Sequence, residues 1–189
     1  MNRHKRWLLQ GGELDPQLLA FTDGLEKLIM WLIDLNYSIK FVKASMPYSD
    51  GHRLKVRAWQ TLVVLLEYLD PAVYTRLPHH ARFIAAVNQQ LWKVIALNHL
   101  PSIRAYIDIV TIKFSLMYPQ YSIEDPNFIK TLLDPNIKVN VASSHLVIAG
   151  FVMQQLDGAK HGMLQLKQKL LEHMSGFLTS NGAHVRCIA

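Results

Sequence analysis

Val56-Arg57-Ala58-Trp59 is the first copy of a short pattern that recurs along this chain of 189 residues. Ile103-Arg104-Ala105-Tyr106 and Val185-Arg186-Cys187-Ile188 repeat it, and Val139-Asn140-Val141-Ala142 is a weaker copy. The steps between copies are 47, 36 and 46 residues, close to the two-helix period of HEAT and armadillo repeats. The pattern therefore predicts an all-α, HEAT/armadillo-like helical-repeat solenoid, built as a right-handed superhelix of helix hairpins.

Proline, glycine and capping residues predict the helix boundaries. Asp15-Pro16 starts a helix that continues to Ile39, either whole or as two parts that meet near Gly24. Ser49 or Asp50 caps the next helix, which carries an apolar face over residues 54–69. Further helices are expected at 80–98, returning alongside the preceding one, and at 101–118, 125–133, 138–156 and 161–178.

These predicted boundaries divide the chain into two segments: an N-terminal helical segment, residues 1–47, and HEAT-like repeats over residues 48–189. Residues 184–189 open another repeat helix and then end. A helix of six residues is not stable alone in water. We therefore expect the last repeat to be truncated and the chain to be a fragment of a longer product.

Composition narrows the class of protein. Half the residues are hydrophobic, the formal charge is +6 and the isoelectric point is about 9.5, so a packed core and a polyanionic partner are both compatible with the sequence. The single cysteine, Cys187, excludes an internal disulfide. The basic residues 1–6 precede too short an apolar run for a signal peptide, and no stretch is long enough to span a bilayer. We expect a soluble intracellular protein, cytoplasmic or nuclear, without a membrane partner.

The sequence contains no motif of an active site. A glycine-rich phosphate loop, a His-Glu-x-x-His pair, a nucleophile elbow and a dinucleotide fingerprint are all missing. His79, His80 and His99 have no carboxylate or cysteine at ligand spacing, which favours satisfied surface histidines over a metal site. His145 and the other scattered histidines are interpreted in the same way. We assign no catalytic, cofactor-binding or metal-binding residue.

Cations concentrate at two predicted helix starts, residues 52–57 and 79–82. Cations there face the positive end of the helix dipole, and a phosphate group could compensate for them. No acidic residue occurs from Ala72 to Ile107, which makes this interval a candidate electropositive stripe. Solvated surface cations are the alternative interpretation. The candidate RNA-binding residues are Arg53, Lys55, Arg57, Arg76, Arg82 and Arg104.

Arginine recurs at one position of the pattern, as Arg57, Arg104 and Arg186. A position repeated in every unit usually serves the unit itself. This favours packing and hydrogen bonding between repeats for these three residues. The stronger candidates for phosphate binding are therefore the cations outside the pattern.

Three segments resemble the helical-repeat region of eukaryotic tRNA (guanosine-2′-O)-methyltransferases of the Trm-three and TAR RNA-binding protein 1 type. They are residues 53–62 (RLKVRAWQTL), 101–107 (PSIRAYI) and 181–186 (NGAHVR). The resemblance covers roughly residues 50–189. In that family the repeats precede a knotted SPOUT domain that binds S-adenosylmethionine and methylates a ribose hydroxyl. No such domain is recognisable here, so the resemblance assigns no catalytic or cofactor residue to this chain.

The resemblance implies a tRNA partner, held through backbone phosphates and positioned for a separate SPOUT domain. A protein-interaction scaffold of HEAT or armadillo type is the alternative. Exposed aromatic residues would favour it, and of the four tryptophans we expect Trp59 and Trp92 to lie in the core. A third alternative is a fragment that merely associates through an exposed core.

Overall fold

The protein is all-helical over the residues described in the computed structural model. These are residues 16–37, 49–77, 79–97, 99–121 and 138–155, with the isolated positions 168 and 171–172. No strand occurs in these ranges, which confirms the all-α prediction. The boundary predicted at residues 47 and 48, the helices predicted at 125–133 and 161–178, and the last pattern copy lie outside them.

Six α-helices form the described structure, and three 3₁₀ turns extend or connect them. The α-helices are α1 Pro16–Asp34, α2 Asp50–Leu65, α3 Pro71–Tyr74, α4 His80–Ile95, α5 Pro101–Met117 and α6 Val139–Gln155. The 3₁₀ turns span Leu35–Tyr37, Leu66–Leu69 and Pro119–Tyr121. Within these ranges no helix is both long enough and apolar enough to cross a bilayer.

The helix boundaries follow the predicted signals closely. α1 begins at Pro16 and passes through Gly24 without a break, so the one-helix alternative holds. Ser49 is the N-cap of α2, and its hydroxyl oxygen accepts a 3.2 Å hydrogen bond from the backbone N–H of His52. α5 begins at Pro101 and ends before Pro119, because proline fits the first turn of a helix but not its interior.

The helices pack in two layers. The main contacts join α1 with α2 and α4 with α5, which are neighbours along the chain, and they also join α1 with α4 and α2 with α5. α6 packs against α5. The layer α2–α5–α6 thus collects the three helices that carry the recurring pattern. The sequence predicted that residues 80–98 return alongside α2. The main partners of α4 are instead α1 and α5.

α2 and α5 run parallel, with equivalent positions side by side. Hydrogen-bonded pairs join His52 with Ser102, Gln60 with Tyr106, Val63 with Lys113 and Leu69 with Tyr118. Their members are 46–50 residues apart, and both members advance together along the chain. α1 and α4 follow the same rule, since Glu26 pairs with His79 and Tyr37 with Gln90, each 53 residues apart. The 47-residue step of the pattern therefore matches the separation in sequence between residues that lie side by side on stacked helices.

The core lies between the two layers. Trp59, Phe114 and Tyr118 are its largest fully buried side chains, and each apolar side chain of this kind contributes about 2 kcal/mol on burial. Trp59 is fully buried, which confirms its predicted place in the core, whereas Trp92 is only partly buried. Leu54, predicted on the same buried face of α2, is instead 43% exposed. The hydroxyl of Tyr118 donates to the backbone carbonyl of Leu69, which ties the ends of α2 and α5 together.

A buried polar pair fastens the end of α1 to α2. The indole N–H of Trp59 donates to Asn36 Oδ1 at 3.0 Å, and Asn36 Nδ2 donates to the carbonyl of Ile33 at 2.9 Å. Trp59 has no exposed surface, and Asn36 is 7% exposed. The amide thus satisfies a donor that water cannot reach.

Asn36→Leu is expected to lower the free energy of unfolding by about 2 kcal/mol, because the buried indole N–H loses its acceptor. Urea denaturation followed by tryptophan fluorescence measures this. The double variant Asn36→Leu with Trp59→Phe removes donor and acceptor together, and its loss of stability should be smaller than the sum of the two single losses. Strict additivity would show that the hydrogen bond contributes nothing.

Candidate functional site

Three helix ends meet at one end of the stack: the N-termini of α2 and α5 and the C-terminus of α4. His52 Nε2 on α2 lies 3.4 Å from the hydroxyl of Ser102 on α5. His99, in the connection between α4 and α5, lies close enough to Lys55 and Arg104 for both charges to disfavour its protonation. The sequence places these groups far apart, and parallel stacking brings them together.

This end carries the α2 cation cluster, which we define as exposed Arg53 and half-buried Lys55. The Arg53 guanidinium lies 3.9 Å from Asp50, and both side chains are largely exposed. A surface pair of this geometry adds little stability, so the guanidinium remains available to another anion. Burial lowers the pKa of Lys55, because an ammonium that loses water is costly without an opposite charge.

His99 lies behind this cluster. Its Nε2–H donates to the carbonyl of Val94 at 2.8 Å, while Nδ1 is buried without a hydrogen-bond partner among the described residues. Burial lowers the pKa of His99 to about 4, helped by the charges of Arg104 and Lys55 and opposed by the Val94 hydrogen bond. The imidazole is therefore neutral at pH 7 and adds no charge to the cluster.

Arg104 lies deeper and fastens three helices. Its Nη2 donates to the carbonyl of Leu97 at 2.9 Å, and its Nη1 donates to the carbonyl of Ile95 at 3.4 Å and to the hydroxyl of Ser144 at 2.8 Å. The two carbonyls belong to the end of α4, where backbone acceptors lack partners within the helix. Arg104 thus caps α4 from α5 and holds α6.

A cluster of polar side chains extends from Arg104 towards α6. The hydroxyl of Ser144 also donates to Asp108. Burial raises the pKa of Asp108 to about 6, against the opposite effects of Ser144 and Arg104. Asp108 Oδ1 and His145 Nδ1 have no hydrogen-bond partner among the described residues. Burial, with a smaller contribution from Arg104, lowers the pKa of His145 to about 4.

His145 corrects one interpretation made from the sequence. It is 2% exposed, and its ring packs against Trp92 with the centroids 5.1 Å apart. It is therefore a core residue rather than a satisfied surface histidine. Its position within the apolar run of α6, beside buried Val141, Leu146 and Ile148, is the signal in the sequence that indicates burial.

Of the recurring arginines, Arg57 and Arg104 lie within the described residues and Arg186 does not. The two described arginines have different surroundings. Arg104 bonds directly to the neighbouring helices. Arg57 is exposed, and its Nη1 donates to Gln60 Oε1 at 3.1 Å on its own helix. Gln60 Nε2 then donates to the hydroxyl of Tyr106 on α5 at 2.8 Å. Arg57 thus connects to α5 through Gln60, and its guanidinium is exposed.

The remaining candidate cations lie at the other end of α4. Arg76 and Arg82 are exposed beside the start of that helix, where His79 Nε2 lies 2.9 Å from Glu26 and the hydroxyl of Tyr74 donates to the same carboxylate. The 16 residues of α4 extend about 24 Å. Five of the six candidates therefore form two separate groups, Arg53, Lys55 and Arg104 at one end of α4 and Arg76 and Arg82 at the other, while Arg57 lies further along α2.

The described residues contain no group of three or more histidine, cysteine, aspartate or glutamate side chains placed to hold a metal ion. Comparison with models of protein families, with curated proteins and with solved structures found no match. The site offers an exposed arginine and a half-buried lysine at a helix start, backed by a neutral imidazole and a half-buried arginine.

Proposed function

We propose that this chain is the RNA-binding, HEAT/armadillo-like helical-repeat part of a tRNA guanosine 2′-O-ribose methyltransferase. It holds tRNA through backbone phosphates. In this proposal methyl transfer from S-adenosylmethionine belongs to a SPOUT domain on a longer product, and none of the described residues is assigned to it. The parallel stacking of helices at the period of the sequence pattern supports the repeat architecture, and the formal charge of +6 supports a polyanionic partner.

The α2 cation cluster carries the proposal. Arg53 presents an exposed guanidinium, and Lys55 is an ammonium that has already lost part of its water. Positions 53 and 55 lie on different sides of the helix, so separate phosphates contact the two side chains, and a phosphate at Lys55 gains a charge-assisted hydrogen bond. It also supplies an opposite charge that Lys55 does not have among the described residues, so binding raises the pKa that burial lowers. Such contacts position an RNA without reading its bases.

The separation between the two groups of cations limits which ligands can contact both. Arg53 and Lys55 lie on the end of α2 that meets the C-terminus of α4, and Arg82 lies in the first turn of α4, about 20 Å from that C-terminus along the helix. One phosphate cannot contact both groups, whereas well-separated phosphates on a folded RNA can. We expect a structured tRNA to engage both groups and a mononucleotide to engage only one.

Binding of bulk tRNA is expected to weaken steeply with salt, because each phosphate contact releases condensed counterions. The triple variant Arg53→Glu, Lys55→Glu, Arg82→Glu should bind at least tenfold more weakly, and its log–log salt slope should be smaller by about one for each phosphate that it no longer neutralises. Filter binding or fluorescence anisotropy at several salt concentrations, with an equally long DNA duplex as competitor, measures both quantities.

Lys27→Glu is the matched control for the single change Arg53→Glu, since each reverses one charge. The Lys27 side chain is 76% exposed on α1 and pairs with Asp23 at 2.7 Å, and that of Arg53 is 70% exposed. We expect Lys27→Glu to change tRNA affinity by no more than about twofold, the general effect of a distant screened charge. Unchanged affinity in the triple variant, or an equal decrease for Lys27→Glu and Arg53→Glu, would contradict this placement.

A protein-interaction scaffold is the second candidate. Val64, Ile109 and Phe151 are 61%, 48% and 54% exposed on α2, α5 and α6, the three helices of one layer. Exposed apolar side chains on neighbouring helices suit a partner's helix or peptide. The same titration separates the two candidates, because a flat response to tRNA at low salt favours the scaffold.

A further inference from the structure

Among the described lysines, Lys55 combines partial burial with the lack of an anionic partner. Lys113 is also half-buried, but its ammonium lies 3.0 Å from Glu67. Lys27 is exposed and lies 2.7 Å from Asp23. No hydrogen bond or ion pair joins Lys55 to another residue in the described part of the chain. Its ammonium has therefore lost part of its water without gaining an opposite charge.

The helices that surround Lys55 offer it no free carboxylate. Over their described residues, α2, α4 and α5 carry two acidic side chains, Asp50 and Asp108. Asp50 lies 3.9 Å from Arg53, and the charge of Arg104 acts on Asp108. Both carboxylates therefore interact with an arginine.

The neighbours of Lys55 are a neutral imidazole, a second histidine and a guanidinium. His99 lies close enough to Lys55 and Arg104 for both charges to disfavour its protonation. Positions 52 and 55 share one side of α2, and His52 lies 3.4 Å from the hydroxyl of Ser102 on α5. Burial lowers the pKa of Lys55, because the charged form is the one that needs water. More of this lysine is a neutral amine at pH 7 than of an ordinary exposed lysine.

We propose that Lys55 is an acylation site, modified by small acyl phosphates. The neutral amine is the nucleophilic form of a lysine. The surrounding positive charge attracts an anionic donor. In the reaction the Nζ lone pair attacks the carbonyl carbon, a C–N bond forms, and the bond from that carbon to the phosphate oxygen breaks. Inorganic phosphate leaves, the nitrogen gives one proton to water, and the product is a neutral amide.

Acylation would regulate the α2 cation cluster, a consequence that rests on the proposed function. The modification removes one positive charge from the cluster and leaves that of Arg53. Lys55→Gln resembles the neutral amide, whereas Lys55→Arg keeps the charge. Lys55→Gln should bind tRNA about threefold more weakly than Lys55→Arg, with a log–log salt slope smaller by about one.

The reactivity of Lys55 is measured without RNA. The whole chain is treated with a limiting amount of acetyl phosphate at pH 7, and peptide mass spectrometry gives the acetylated fraction of each lysine. We expect Lys55 to react about threefold faster than exposed Lys93 and Lys138. This ratio should fall as the pH rises from 7 to 10, because exposed lysines then also become neutral. Better access alone would not produce that dependence on pH.

A substitution on α5 tests the electrostatic cause. Ser102→Glu places a carboxylate on the side of α5 that contacts His52, and it should slow acetylation of Lys55 about threefold. Ser102→Gln is the matched control, since it adds a side chain of the same size without the charge. Equal rates in the two variants would contradict the role of the missing opposite charge.

A neutral donor distinguishes attraction of the acyl phosphate from reactivity of the amine. With the N-hydroxysuccinimide ester of acetic acid, the preference for Lys55 over Lys93 should persist at pH 7 but be smaller than with acetyl phosphate. Equal preferences would overturn the acyl phosphate as the favoured donor. Acetylation of Lys55 no faster than that of Lys93 with either reagent would overturn the site. These reactions contain no RNA, so their failure leaves the tRNA proposal standing.

Discussion

Arg104→Met is expected to lower the free energy of unfolding by about 3 kcal/mol, the largest effect of any single substitution proposed for this chain. The change keeps most of the aliphatic side chain and removes three hydrogen bonds, to Ile95, Leu97 and Ser144. It also leaves the partly buried carboxylate of Asp108 without the positive charge that stabilises it. Removing one partner of such a pair is costly, because the other charge stays buried.

A second substitution separates these two contributions. Asp108→Asn removes the charge that Arg104 compensates, so the double variant should regain part of the stability that Arg104→Met removes. The uncapped carbonyls at the end of α4 are not restored, and recovery should therefore be partial. Chemical denaturation of the parent, both single variants and the double variant measures the coupling.

Arg57→Met is the matched control, because Arg57 occupies the same position of the recurring pattern. Its guanidinium is exposed and bonds to Gln60 of the same helix. We expect the free energy of unfolding to fall by no more than about 0.5 kcal/mol, as for other surface substitutions. Equal decreases for Arg57→Met and Arg104→Met would mean that the pattern position, and not the buried network, decides the contribution.

This contrast shows how far the sequence predicts the fold. The recurring pattern correctly indicated the helical class, and its 47-residue step matches the separation of residues that lie side by side on α2 and α5. Local signals such as Pro16, Ser49 and Pro101 placed helix starts correctly, because capping depends on the nearest few residues. Each of these predictions rests on short-range chemistry or on the repetition itself.

The site could be predicted only in part, because it depends on which helix packs against which. The charge pattern identified the exposed cations of α2, but one acid-free interval suggested a single stripe. The structure instead places Arg82 in the first turn of α4 and Arg104 against the carbonyls at the C-terminal end of that helix, so the cations of this interval lie at opposite ends of α4. Asp108, Ser144 and His145 form a group only when α6 packs on α5, and no local motif records that contact.

The stability of the protein is expected to depend on pH through His145. This imidazole faces Trp92 on α4 and the charge of Arg104 on α5. Burial lowers its pKa from 6.5 to about 4. Between pH 6.5 and pH 4 the unfolded chain therefore binds more protons at this residue than the folded protein does. The free energy of unfolding rises with pH wherever the unfolded state binds more protons.

The stabilising contribution of neutral His145 is thus complete above pH 6.5 and is lost as the pH falls towards 4. A shift from 6.5 to about 4 corresponds to about 3 kcal/mol. His99 acts in the same direction, since burial also lowers its pKa to about 4. Asp108 acts in the opposite direction. Burial raises its pKa to about 6, so its destabilising charge disappears as the pH falls from 6 towards 3.8.

Because these groups oppose one another over the same interval, the parent curve alone does not isolate His145. His145→Phe keeps a ring against Trp92 and cannot take up a proton. The difference in unfolding free energy between parent and His145→Phe, from urea titrations at pH 7 and pH 4.5, should change by about 2–3 kcal/mol in favour of the variant at the lower pH. For Asp108→Asn, the same difference in unfolding free energy should instead change in favour of the parent at pH 4.5. Asp108 of the parent becomes protonated at the lower pH and no longer carries a buried charge. A constant difference between parent and His145→Phe at the two pH values would show that His145 reaches water in the folded protein, and that α6 is not closed over it.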